Sequence, residues 1–135
     1  MPSKVNVCYL VGGADVRDVY CAGLDMFTDE IVVNFNLWIL HDWTDEQCMK
    51  LLRNCWKALP EKGKMIVVEC ILPVVPNEAI ATKGGFQIDL AMFVVTPRGK
   101  ERMENEFKSL AKEAGFSNFK SIYIFAGSWV MEFIK

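Results

Sequence analysis

The sequence holds a single histidine, His41, so any imidazole chemistry has to use it. It holds no CxxC pair. Its cysteines, Cys8, Cys21, Cys48, Cys55 and Cys70, are odd in number. That argues against a disulfide framework and against a zinc site, and it favours a reducing, cytoplasmic setting with no bound metal. Charge of one sign is not in excess. Fifteen Lys and Arg face 17 Asp and Glu, for a formal net charge of −2, so neither nucleic acid nor an anionic membrane surface is expected as a partner. No uncharged apolar run reaches the ~18 residues of a membrane-spanning helix. The N-terminal stretch MPSKVNVCYLVGG is too short and too weakly basic to read as a signal peptide. There is no GxSxG elbow, which removes the usual sequence signal for a serine hydrolase. Internal repeats and low-complexity segments are absent as well.

What is present is the composition of a folded domain. Hydrophobic residues make up 52% and charged residues 24% of 135 residues, enough for one core and one domain. Val5–Val11 reads as a short buried strand before Gly12-Gly13, and Val19–Ala22 as another. Ile31–Leu40 is a long apolar run of the kind found in strands covered on both faces. Thr44 then has the character of a helix N-cap, with Gln47 completing a capping box. Cys48, Leu51, Leu52, Cys55 and Leu59 follow at helical spacing, and Pro60 and Gly63 stop that helix.

Lys64–Leu72 is a second buried strand, ended by Pro73. A loop over Pro73–Asn77 leads to a helix expected over Phe86–Val94, its start obscured by Gly84-Gly85. Met103, Phe107, Leu110, Ala111 and Ala114 give a last helix, with Gly115 as its C-cap. Phe119–Phe125 and Trp129–Ile134 read as an antiparallel strand pair around Gly127-Ser128. Alternating strands and helices with continuous apolar strands predict an α/β fold with a mainly parallel sheet and an antiparallel C-terminal pair.

In such sheets ligands sit beyond the carboxyl ends of the strands. That rule singles out Asp25, His41-Asp42 and Glu69. Asp42 could simply cap a helix, with His41 as loop filler. Glu69 interrupts an apolar strand. It either faces solvent at the strand end or is buried with a partner, because an unpaired buried carboxylate is costly. Glu101 falls in the expected first turn of the last helix, where the helix dipole alone would explain it. One histidine flanked by two carboxylates is also a sensible base unit. The carboxylates orient the imidazole and raise its basicity, and the imidazole takes a proton from a hydroxyl.

The stretches LWILHDWTDEQCMKLLRNCWKALPEKGKMIVVECILPVVP and ATKGGFQIDLAMFVVTPRGKER resemble plant caffeic acid O-methyltransferases. The HDWTDE, VECILP and GKER motifs are jointly specific, and the spacing of His41, Glu69 and Glu101 agrees with the family. The resemblance covers residues 19–135 as the C-terminal part of a catalytic domain and leaves residues 1–18 unmatched. It implies a partial Rossmann-like, S-adenosylmethionine-dependent methyltransferase fold. It implies methyl transfer from that cofactor to the hydroxyl of a small phenolic substrate, a phenylpropanoid or flavonoid. His41 corresponds to the catalytic base, and Glu69 and Glu101 to its supporting acids. Asp25 and Met26 correspond to cofactor-binding positions, and Ile88, Met92 and Thr96 to positions lining the phenol pocket. Met92 serves equally well as core packing.

The sequence also departs from the family. Leu37 stands where the family has a cofactor-contacting Lys. The Gly-rich cofactor loop and the helical domain through which the family forms homodimers have no counterpart in these residues. The other reading is therefore a catalytically inactive fragment or truncated paralogue that pairs with a full-length relative. If the first strands of the fold are absent, Val5–Val11 is expected to take the place beside Ile31–Leu40.

Overall fold

The computed structural model describes residues 6–10, 32–38 and 40–135, with residues 6–10 and 32–37 entering through their backbone alone. The expected strand Val19–Ala22, the Gly12-Gly13 turn, and Asp25 and Met26 lie outside the described residues.

The elements run β1 (Asn6–Leu10), β2 (Val32–Leu37), a 3-10 turn (Leu40–Asp42), α1 (Asp45–Ala58), β3 (Lys64–Leu72), α2 (Ile80–Val95), β4 (Arg102–Met103), α3 (Glu104–Ala114), β5 (Asn118–Phe125) and β6 (Ser128–Ile134). The sheet order is β1-β2-β3-β6-β5, with β4 paired to the end of β3. β1, β2 and β3 are parallel. β6 enters antiparallel between β3 and β5. β1 does lie beside β2, as expected of Val5–Val11, and covers the edge that β2 would otherwise expose.

Local chemistry accounts for the elements around the site. The Thr44 hydroxyl accepts the Gln47 N–H at 3.2 Å, and Gln47 Oε1 accepts the Thr44 N–H at 3.0 Å. This capping box starts α1 immediately after the 3-10 turn. Gly115 ends α3 with φ of 108°, a left-handed conformation that costs an L side chain strain.

The core lies on one face of the sheet. Cys48, Leu51, Leu52 and Cys55 of α1 meet Phe107, Leu110, Ala111 and Ala114 of α3. Beneath them sit Met65 and Val67 of β3 and Met131 and Phe133 of β6. The period-two alternation of a strand places Glu69 on the same face as Met65 and Val67. α2 packs on β3 through Gly85, where a Cβ would come to 3.1 Å from both Cys70 Sγ and Leu72 Cδ2. Leu90, Phe93, Val94 and Val95 of α2 remain exposed. Among the described residues no helix is long and apolar enough to cross a membrane.

Three sequence expectations are corrected. β2 ends at Leu37 rather than Leu40, because Trp38 turns the chain with φ of 52°. α2 begins at Ile80 and runs through Gly84-Gly85. Glycine costs helix propensity there, but Gly85 permits the close approach to β3. Glu101 lies ahead of β4 and α3, outside any helix, so the helix dipole does not account for it.

Candidate active site

Two backbone features deliver His41. The left-handed turn at Trp38, whose N–H donates to Val68 O at 3.0 Å, ends β2. The 3-10 turn then swings residues 40–42 across the end of β3. Such a φ is rare for a bulky residue and is found where surrounding structure over-determines it. The Trp38 indole lies 5.7 Å from the imidazole, centroid to centroid, tilted by 49°.

The structure brings His41, Glu69 and Glu101 together. His41 Nδ1 lies 2.7 Å from Glu101 Oε1 and 3.8 Å from Glu69 Oε2. Nε2 lies 3.4 Å from Asp42 Oδ1. Glu69 is fully buried and Glu101 is 4% exposed, so the solvent-facing alternative for Glu69 is gone. The two carboxylates act differently. Glu101 makes the short hydrogen bond to the ring. Glu69 accepts the Leu40 N–H through Oε1 at 2.7 Å, which ties down the backbone one residue before His41.

Ligand atoms of the three residues lie within 4.8 Å of one another. The 2.7 Å contact, however, needs a proton on Nδ1, which then has no lone pair to offer a cation. The same contact sets the tautomer. With Nδ1 donating to Glu101, Nε2, on the Asp42 side of the ring, is the nitrogen with a free lone pair and can accept a proton. Burial alone would lower the His41 pKa. The Glu101 hydrogen bond, with the charges of Glu69, Glu101 and Asp42, outweighs it and holds the value above the ordinary 6.5.

Sequence reasoning missed three contributors. Asp89 on α2 accepts the Glu101 N–H through Oδ1 at 2.8 Å. Arg102, fully buried, reaches Leu40 O, Trp43 O and Asp45. Trp38 flanks the ring. Only Arg102 carried any signal, its adjacency to Glu101 in the GKER motif.

Ile88 lines an apolar cavity of about 390 Å³ together with Trp38, Cys70, Gly84, Gly85 and Ala126. The Cys70 thiol is pushed up to about 11 by burial and the nearby carboxylates, so it is an uncharged wall rather than a nucleophile. Thr96 is placed elsewhere, with Asp42 and Trp43 on a broad groove of about 1610 Å³ that also runs along α1 and α3. Its hydroxyl is committed to the end of α2, donating to Met92 O at 2.8 Å and accepting the Gly99 N–H at 2.6 Å. Met92 is half-buried on α2. Neither the groove nor the cavity is lined by His41, Glu69 or Glu101, so size does not locate the chemistry; the cavity borders the triad only through Trp38, which flanks the imidazole, and Cys70, which follows Glu69.

The profile of the O-methyltransferase domain family matches residues 9–117. Caffeic acid 3-O-methyltransferase of Zea mays is 56% identical over 98 residues, covering 73% of this chain and 27% of that protein. Tricetin 3',4',5'-O-trimethyltransferase of Triticum aestivum is 52% identical over 98 residues, 73% of this chain and 28% of that protein. The crystal structure of human N-acetylserotonin methyltransferase in complex with SAM superposes with a TM-score of 0.69 at 25% identity, over 76% of this chain and 29% of that one. The chain thus spans little more than a quarter of the length of these relatives.

Proposed function

Because the chain belongs to the O-methyltransferase domain family, we propose that it transfers a methyl group from S-adenosylmethionine to the hydroxyl of a small phenol, with His41 as the general base. The observation that carries this reading is the 2.7 Å contact between Nδ1 and Glu101, which leaves Nε2 as the basic nitrogen. A phenol titrates near ~10, so a base at its hydroxyl matters at neutral pH.

His41 Nε2 takes the phenolic proton. Glu101 and Glu69 carry the opposing charge as the ring becomes cationic, in a buried site where that charge counts for more than in water. Once the hydroxyl proton has gone to Nε2, the oxygen is left with the electron pair that forms the new bond to carbon. S-adenosylmethionine, when bound, would supply the methyl already activated on a sulfonium, with the carbon–sulfur bonding pair going to sulfur. The proton leaves Nε2 for solvent, and the neutral ring is restored.

The described residues suit that cofactor in position and charge. β1, β2 and β3 are parallel, so their carboxyl ends share the rim where His41 and Glu69 sit. The anionic cluster there suits a cation. Asp25 and Met26, by resemblance, hold the adenosine end. The apolar cavity beside Trp38 and Ile88 is within the size range of small-ligand sites, and it supports a flat phenolic ring as substrate. The relatives act on caffeic acid and tricetin by name, which supports a phenylpropanoid or flavonoid. Buried Cys48 and Cys70 thiols support a reducing, cytoplasmic setting.

The test uses the 135-residue chain with radiolabelled S-adenosylmethionine and caffeic acid, alongside calorimetric titration with S-adenosylhomocysteine. The expected result is cofactor binding and label transfer that His41→Ala abolishes while its circular dichroism stays native. Label transfer at the wild-type rate in His41→Ala would overturn the role of His41. Absence of both binding and transfer in the wild type would overturn the activity itself.

A further inference from the structure

His41 is held by more than its two carboxylates. Four backbone groups flanking the ring are tied to other elements. The Leu40 N–H goes to Glu69, and Leu40 O accepts from Arg102 Nη1 at 2.7 Å and from the Cys48 thiol at 3.3 Å. The carbonyl of His41 itself accepts the Lys100 N–H at 2.9 Å. Trp43 O accepts from Arg102 Nη2 at 2.9 Å.

Arg102 is the common element. Its guanidinium is fully buried, yet it spends its three nitrogens on the turn and the start of α1. Nε donates to Asp45 Oδ1 at 2.9 Å, and Nη2 lies 2.8 Å from the same oxygen. A buried guanidinium is costly unless its donors are satisfied, and the planar fork suits several fixed acceptors at once. The residue immediately before it, Glu101, holds the imidazole. One short segment therefore grips both the ring and the backbone that carries the ring.

The approach of that segment is permitted by Gly99. A methyl group there would collide with the His41 carbonyl oxygen and the Thr96 hydroxyl. Asp45 completes the clamp at the first residue of α1. Its partial burial pushes the carboxyl up, but the Arg102 guanidinium overrides this and holds it below the usual range. The charge arrangement is thus Arg102 between the turn carbonyls and Asp45, with Glu69 from β3, Glu101 and Asp42 facing the imidazole.

We propose that Arg102 is a positioning residue for His41, clamping the 3-10 turn so that Nδ1 stays on Glu101 and Nε2 stays unprotonated on the opposite side of the ring. This rests on the reading of His41 as the general base. Arg102 touches neither the ring nor any reacting atom and acts only through the Leu40 and Trp43 carbonyls. Lysine offers a single point of donation in place of the fork, so Arg102→Lys keeps the charge and loses the clamp.

The test is an NMR titration of the imidazole, which gives one signal because the chain has one histidine. In a folded Arg102→Lys variant the midpoint falls by roughly one pH unit and the hydrogen-bonded Nδ1 proton resonance is lost. A purely structural contribution to the core would move neither. A folded variant with the wild-type midpoint and an intact Nδ1 resonance overturns the proposal.

If Arg102→Lys does not fold, Asp45→Asn decides. It removes the guanidinium's anionic anchor from an exposed helix start. Amide exchange at Leu40 and Lys100 then rises about tenfold relative to the helix interiors. Unchanged exchange at those two amides overturns the proposal. These readouts report ring placement whether or not methyl transfer occurs. A failure of the methyltransferase reading would instead show as absent turnover with His41 titrating as described.

Discussion

Replacing Glu101 by glutamine removes a charge and little else. The amide keeps an oxygen that can accept the Nδ1–H at the same 2.7 Å position. A hydrogen bond to a charged group contributes about 1.5–3 kcal/mol and a neutral one about 0.5–1.5 kcal/mol. The difference of about 1–1.5 kcal/mol corresponds to roughly one pKa unit. Burial already pulls His41 downward, and the Glu101 hydrogen bond is the strongest effect opposing it. With that charge gone, the His41 midpoint should drop to near or below its ordinary value. Glu69→Gln removes a charge at 3.8 Å and leaves the Leu40 N–H an amide oxygen to donate to, so its drop should be smaller. The assay is the imidazole titration by NMR on both variants. In methyl transfer, the acidic limb of the rate profile should shift to lower pH with Glu101→Gln. The plateau should fall roughly threefold to tenfold, as expected for a weakened base rather than a lost one. A Glu101→Gln midpoint equal to or above wild type, or a larger drop from Glu69→Gln, would refute the assignment of Glu101 as the principal partner.

Two further outcomes follow from the structure. His41 has a folded pKa above its unfolded value, so its stabilising contribution is complete below about pH 6.5 and is lost as pH rises through the folded value. The stability advantage of wild type over His41→Gln, read from urea midpoints between about pH 6 and pH 9, should therefore shrink with rising pH; growth of that advantage would contradict the sign. Phe133 is fully buried and packs edge-to-face on Phe116 and tilted on Phe119, at 5.5 and 5.3 Å between centroids, so Phe133→Ala should cost about 3–5 kcal/mol in denaturant unfolding. A loss under ~1 kcal/mol would mean that β6 is not a core strand.

The sequence made the residues of the site more legible than their surroundings. A carboxylate inside an apolar strand has few inexpensive explanations, and Glu69 is buried with a backbone donor, as that argument requires. The Thr44–Gln47 capping box and the Gly115 cap depend on neighbours in the chain, and both were readable. Glu101 was misplaced because the amphipathic pattern of α3 does not reveal that the helix starts only at Glu104. Arg102 was overlooked because an arginine in a charged run resembles a solvated one; its acceptors lie in another part of the chain. Asp89 was silent for the same reason. The left-handed turn at Trp38 had no local signal, since nothing in a tryptophan favours that conformation. β6 was read as a partner of β5, but its other edge, against β3, is a long-range pairing that no local pattern encodes.

The insertion of β6 between β3 and β5 also sets an order of events. Lys64 pairs with Ile134 and Glu69 with Trp129, so β3 waits for the last strand before its hydrogen-bonding is complete. Contacts this distant along a chain carry a loop-closure cost and form slowly. During synthesis the histidine turn and the Glu69 strand leave the ribosome well ahead of the hairpin that braces them. The nascent chain therefore carries all three residues of the triad before it has the framework to align them. Glu69 is set in a completed sheet only once β6 has docked on β3, so the alignment of the three residues is a late event of folding.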